Sequence, residues 1–259
     1  MIVGRTVRLA VLWSIVLAAI VGVAFVPSIP QPMGYHEFAD TRALFGIPNF
    51  WNVASNLPFL ATGAIGLIVV ARNRYAGGLP SLRIAYALFF VSVSFVCFGS
   101  GYYHWSPSNE TLAWDRLPMA IAFMTLVAIV IGEHINERAA LRLLLPLIAV
   151  GVFSVCYWRY TEDLGHGDLR LYGLVQFLSL VIVALIFWLF PSRLSGIGYL
   201  WAMFAGYAIA KLLEEFDAYV YDAFGHQVSG HALKHVVAAG AMYCFLLALQ
   251  RRRLTMRLQ

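Results

Sequence analysis

Apolar residues in this chain do not alternate or recur on one narrow face; they run on without interruption. Eight such runs are separated by short polar connections: approximately Val7–Val26, Phe50–Ala71, Leu82–Tyr103, Trp114–Glu133, Leu141–Trp158, Leu169–Phe190, Gly196–Phe216 and His231–Leu249. A run of roughly 20 apolar residues is the length that carries a helix across a bilayer. Helices are the form such runs take, because they satisfy every backbone polar group within the segment. The pattern therefore predicts an all-α, polytopic transmembrane helical bundle with no soluble module.

The first run follows Arg5 and Arg8, a pairing that also suits a secretory signal peptide. The residues after it, Ala24, Phe25, Val26 and Pro27, lack a small-x-small cleavage site, so a retained helix is expected.

Composition agrees with the pattern. Hydrophobic residues make up 61% of the 259 and charged residues 12%, against about 25% charged in soluble domains. The cysteines Cys97, Cys156 and Cys244 fall in separate apolar runs without C-x-x-C spacing, as buried packing residues do. A net charge of +5 raises the question of nucleic acid, but the positions of the positive residues answer it through topology. Counted loop by loop, Arg5, Arg8, Arg72, Arg74, Arg83, Arg138, Arg142, Arg193, Arg251, Arg252, Arg253 and Arg257 fall on one side. Arg42, Arg116, Arg159, Arg170, Lys211 and Lys234 fall on the other. An excess of Lys and Arg marks the cytoplasmic side, so both termini are expected there. The C-terminal arginines read as a stop signal contacting anionic lipid headgroups, with no nucleic-acid and no obligate protein partner implied.

Ionisable groups inside a membrane are costly and are functional candidates by default. The topology brings several to the extracytoplasmic face. The third helix ends there with Ser100 and His104, the fourth starts there with Trp114 and Asp115, and the eighth starts with His231 and His235 in GHALKH. Residues four apart share a helix face, so His231 and His235 point at one centre, as do Ser100 and His104. Two histidines from one helix and one from another make a three-histidine set, an arrangement used for catalytic zinc with a position left open for water. Spacing alone leaves interfacial histidines as an alternative. Bis-histidine haem ligation fits less well, since its ligands would face each other near mid-membrane.

Ser100 is not the serine of a G-x-S-x-G elbow, because positions 98 and 102 are Phe98 and Tyr102. Its direct neighbours Gly99 and Gly101 suit close backbone approach or a distorted helix end. His36, His134, His166 and His226 have no partner at helical spacing and are left outside the site. Lys211 with Glu214 or Glu215 reads as a self-neutralising interfacial pair, with contact to a headgroup as the functional alternative.

Three ordered blocks, NFWNVASNLPF (residues 49–59), GSGYYH (residues 99–104) followed by Asp115, and GHALKH (residues 230–235), resemble the alkaline ceramidases. These belong to a wider set of seven-helix membrane hydrolases that includes the adiponectin-receptor-like proteins. The likeness spans residues 35–250, so residues 1–34 are expected to be an added N-terminal helix and linker, and residues 251–259 a basic cytoplasmic tail. The resemblance implies a zinc amidase acting on a ceramide-like lipid and releasing a fatty acid and a sphingoid base. It implies His104, His231 and His235 as metal ligands, Asp115 as the group handling the proton, and Ser100 hydrogen-bonded to the metal centre or to the developing oxyanion.

One departure concerns calcium. Relatives with a regulatory calcium site carry Asp-Trp-Cys-Glu-x-Asn, and an acid before the Phe-Trp-Asn block. This chain has Tyr35, Phe38 and Asp40 at the ligand places and Asn49 before Phe50, so of the oxygen ligands only Asp40 and Asn49 remain, with Glu37 nearby, which puts calcium dependence in doubt. Asn52, Ser55 and Asn56 are expected to bind neighbouring helices. Two other readings remain open: the same centre cleaving a lipid ester, and a receptor or transporter whose zinc is structural with Asp115 as fourth ligand.

Overall fold

In the computed structural model, which describes residues 4–255, the apolar runs are helices, and the described residues form no strand beyond two isolated bridges. Helix α1 (Arg5–Ala24) passes through an irregular linker, with one 3-10 turn at Met33–His36, into α2 (Phe50–Ala54) and α3 (Leu57–Ala71). Then follow α4 (Arg83–Trp105), α5 (Asn109–His134) and α6 (Glu137–Asp163). The next span is composite: α7 (Arg170–Gly173), a π-helical turn (Leu174–Leu178) and α8 (Ser179–Leu189). The chain closes with α9 (Gly198–Glu215), the short α10 (Asp217–Ala223) and α11 (Gly230–Arg251).

Seven spans among the described residues are long and apolar enough to cross a membrane. The protein is thus an all-α polytopic bundle, a core of later helices with one extra N-terminal helix. Helix α9, at 18 residues, also matches an expected segment, but Lys211, Glu214 and Glu215 near its end keep it outside those seven.

Each helix shows why it sits where it does. Along α4, Val93, Cys97, Ser100 and His104 are buried, while Phe95, Phe98, Tyr102 and Trp105 are exposed. The buried set recurs every three or four residues, the spacing of one helical face. The exposed set is aromatic and apolar, as a face turned to lipid should be. Helix α1 is the outlier: Leu12 is its only buried residue. It rests on α8 and the π turn, and Arg8 donates to the Leu189 carbonyl at 2.7 Å.

Several expectations need correction. The run Phe50–Ala71 is not one helix; it breaks at Ser55–Asn56, just before Pro58 in the first turn of α3. Helix α5 begins at Asn109 rather than Trp114, because Ser108 and Thr111 form a reciprocal capping box. Asp115 therefore lies about 9 Å inside the helix instead of at its start. Cys156 is exposed on the outer surface of α6, not packed in the core. Arg252 does not reach toward lipid headgroups. Its side chain is buried, donating from both terminal nitrogens to the Glu133 carboxylate at 2.7 Å each. Arg257 lies outside the described residues.

Candidate metal centre

Two glycines let the site assemble. A Cβ on Gly99 would stand 2.1 Å from the Trp114 carbonyl oxygen, so only glycine lets α4 lie this close to α5. Gly101, the other neighbour of Ser100, faces open space. Through the Gly99 approach, Ser100 and Asp115 come to line one cavity. A Cβ on Gly230 would likewise meet the Leu213 carbonyl oxygen at 2.2 Å, so glycine seats the start of α11 against the end of α9. There the Ser229 hydroxyl caps α11 by accepting from the Ala232 amide, and Asp217 accepts from the His231 amide at 2.7 Å and the Ala39 amide at 3.0 Å.

These contacts deliver three histidines to one point. His104 Nε2 lies 3.3 Å from both His235 Nε2 and His231 Nε2, and all three rings are buried. The ligand-type atoms of the three fall within 4.8 Å of one another. Phe38, from the linker, closes this centre, with its ring centroid 4.8 Å from those of His104 and His231.

The donor set fits a metal. Imidazole nitrogens carrying lone pairs repel when buried together, and a cation among them removes the conflict. The Ser55 hydroxyl bonds to the Asn52 carbonyl at 3.3 Å and to His235 Nδ1 at 2.8 Å. With its proton on that carbonyl, the hydroxyl oxygen accepts from Nδ1–H, which leaves Nε2 unprotonated and aimed at the centre. Such an outer partner is what metal-ligating histidines ordinarily have.

Beside the histidines opens a cavity of ≈ 780 Å³. Its walls are mostly apolar, from residues such as Val23, Val93, Met119, Phe123, Leu178 and Ala238. Ser100, Asp115 and His235 line it, so the polar centre and the apolar space are continuous. The π turn contributes Gln176, which donates to the Tyr207 hydroxyl at 2.8 Å. The linker wall is pinned by Arg170, which forks onto Asp168 and donates to the Val26 carbonyl at 2.6 Å. That guanidinium holds the Asp168 carboxyl below its ordinary range.

All five site residues read from the sequence meet in this region. Of the histidines left out, His36 bonds to Tyr103 and Asn109, His134 to the Phe190 carbonyl, and His226 pairs with Asp222. Ser55 does reach a neighbouring helix, but its partner is His235 of the three-histidine cluster, a contact the sequence reading missed. Phe38 and Asp217 were missed too; both act across long sequence separations and carry no motif. Lys211 pairs with Glu214 and not with exposed Glu215, and Lys234 joins the same carboxylate at 2.6 Å. The two oxygen candidates at the calcium positions are engaged elsewhere: Asp40 accepts the Arg42 fork, and the Asn49 amide donates to the His104 carbonyl.

Fold and centre together define a class: a polytopic helical membrane protein with a buried three-histidine site beside an apolar cavity. The family model named Ceramidase matches residues 45–258, most of the chain, and the protein belongs to the ceramidase family. The family is one of ceramide-hydrolysing enzymes, which act on an amide bond within a lipid. No curated protein matched the chain. The match begins beyond α1 and most of the linker.

Proposed function

We propose that the protein is a membrane-embedded, zinc-dependent amidase that hydrolyses ceramide-like N-acyl lipids to a fatty acid and a sphingoid base. The observation carrying this reading is the continuity of the His104, His231 and His235 cluster with Asp115, Ser100 and an apolar cavity. His104, His231 and His235 would hold the metal. Bound there, zinc supplies Lewis acidity, polarising a carbonyl oxygen and lowering the pKa of water to roughly 7.

The chain's own residues do the rest. Apolar walls seat the acyl chain, so the amide sits where the cavity turns polar. As the water oxygen bonds to the amide carbon, Asp115 takes the water proton. It returns that proton to the nitrogen as the C–N bond breaks, so a carboxylic acid and an amine leave with atoms and charge balanced. Ser100 donates a hydrogen bond to the oxygen on which negative charge develops, a contact that counts most in a water-poor site. Phe38 covers the histidines and keeps bulk water away.

The site is assigned to the extracytoplasmic side and both termini to the cytoplasm, supported by the loop charge bias. Residues 35–250 are assigned as the hydrolase domain, with 1–34 as an added helix and linker.

The test is zinc analysis of detergent-purified protein, with lipid mass spectrometry after incubation with matched amide and ester lipids, with and without chelator. The expected result is bound zinc, chelator-sensitive release of sphingoid base, and loss of both zinc and turnover in His231→Ala. Zinc-free protein, or a His231→Ala variant with full activity, overturns the reading. Asp115→Asn separates an open catalytic centre from a closed structural one: it should keep zinc and lose turnover.

A further inference from the structure

Arg116 follows the proposed proton carrier directly and lines the same cavity, yet the amidase reading gives it no task. Its side chain is 6% exposed. The guanidinium lies 4.2 Å from the Trp158 ring centroid, 4.7 Å from that of Tyr172 and 5.5 Å from that of Tyr35. One terminal nitrogen donates to the Gln31 side-chain oxygen at 2.6 Å, and the other, Nη1, is buried with no partner. Among the described residues no carboxylate forms an ion pair with it. Burying an unpaired charge is expensive, and aromatic faces ease that cost without cancelling the charge.

A neutral side chain would fill the space between three rings without that cost, so packing alone does not account for arginine. The surroundings point the same way. Lys211 and Lys234 also line the cavity and share the single carboxylate of Glu214. With Arg170 matched to Asp168, the polar end holds three cations, Arg116, Lys211 and Lys234, against Asp115 and Glu214. Arginine presents a planar fork of donors suited to carboxylate, phosphate or sulfonate.

Resting on the amidase reading for the cavity's substrate, we propose that Arg116 is the headgroup-binding residue for N-acyl lipids bearing an anionic group close to the scissile amide. Adjacent helix positions differ by about 1.5 Å in rise and about 100° in direction. Arg116 thus stands at the depth of Asp115 and lines the same cavity, so an anion on it lies at the polar end and not at the far end of the cavity.

The test is equilibrium binding to the full-length, detergent-purified protein with chelator present, by competition against a fluorescent N-acyl lipid. Two matched pairs separate the sources of the anion: N-palmitoylserine with N-palmitoylserinol, and N-palmitoylsphinganine 1-phosphate with N-palmitoylsphinganine. At least one anionic member should bind about tenfold or more tighter than its neutral partner, the scale of a charge-assisted contact in a desolvated site. The ratio should fall to about 1 in Arg116→Gln and be partly kept in Arg116→Lys, since lysine retains charge without the fork. Equal binding within both pairs by the wild type, or a preference that survives Arg116→Gln, overturns the proposal. Hydrolysis of the same four lipids with zinc restored reports separately on the amidase reading, whose failure leaves the binding ratios to decide.

Discussion

His235 is aimed by a hydroxyl. Ser55 sits where α2 ends and α3 has yet to start, so its hydroxyl can bond back to the Asn52 carbonyl and still cross to α11. Replacing it with alanine leaves the histidine in place but removes the acceptor that sets its tautomer and ring angle. If the cluster holds zinc as proposed, Ser55→Ala should weaken zinc affinity by about 10–100-fold, the usual effect of losing such a partner. The melting temperature should move little, because Ser55 is only half-buried. Chelator competition reads the affinity, and an unchanged value would refute the positioning role. This residue also marks a limit of sequence reading. Histidines four apart in GHALKH declare a shared face, whereas a serine 180 positions away from its partner announces only that it is polar.

At the scale of helices, the site exists because two backbones nearly touch. The Trp114 carbonyl oxygen stands 2.1 Å from where a Cβ on residue 99 would be. Gly99→Ala must force α4 from α5 and separate Ser100 from Asp115, and about 1 Å of misplacement costs around 10²-fold in rate. Gly101→Ala is the matched control: one turn-facing glycine away, it meets nothing within 4 Å and should turn over like the wild type. Equal rates in the two variants would show that the close approach has no catalytic consequence. Most spans were legible because helix-length apolar runs have few other folds open to them in lipid. The break at Ser55–Asn56, the π turn and α10 were not, since each answers to contacts with other elements. The start of α5 is carried by Ser108 and Thr111, polar capping residues that precede the apolar run and leave no trace in its hydrophobic pattern.

Taken whole, the bundle keeps polar groups at both ends and uses them differently. The end bearing the histidines holds an unpaired guanidinium and a carboxylate facing a cavity. The opposite end is closed: Arg252 forks onto Glu133, the Tyr86 hydroxyl donates to the same carboxylate at 2.8 Å, and the Leu79 amide donates to Tyr86. Arg252 was read from sequence as a lipid contact because loop position says nothing about burial; the partner that draws it inward lies 119 residues away. A satisfied buried pair holds α5 to the end of α11, and removing one member strands the other charge. Arg252→Ala should lower stability in detergent by about 3–5 kcal/mol. The double variant Glu133→Leu with Arg252→Met should recover most of that loss, because apolar residues of similar volume often replace a buried pair without penalty. Thermal unfolding of the three proteins is the measurement. A single variant as stable as the wild type would mean that α11 is held by its apolar face alone, and that this end of the bundle does not depend on charge at all.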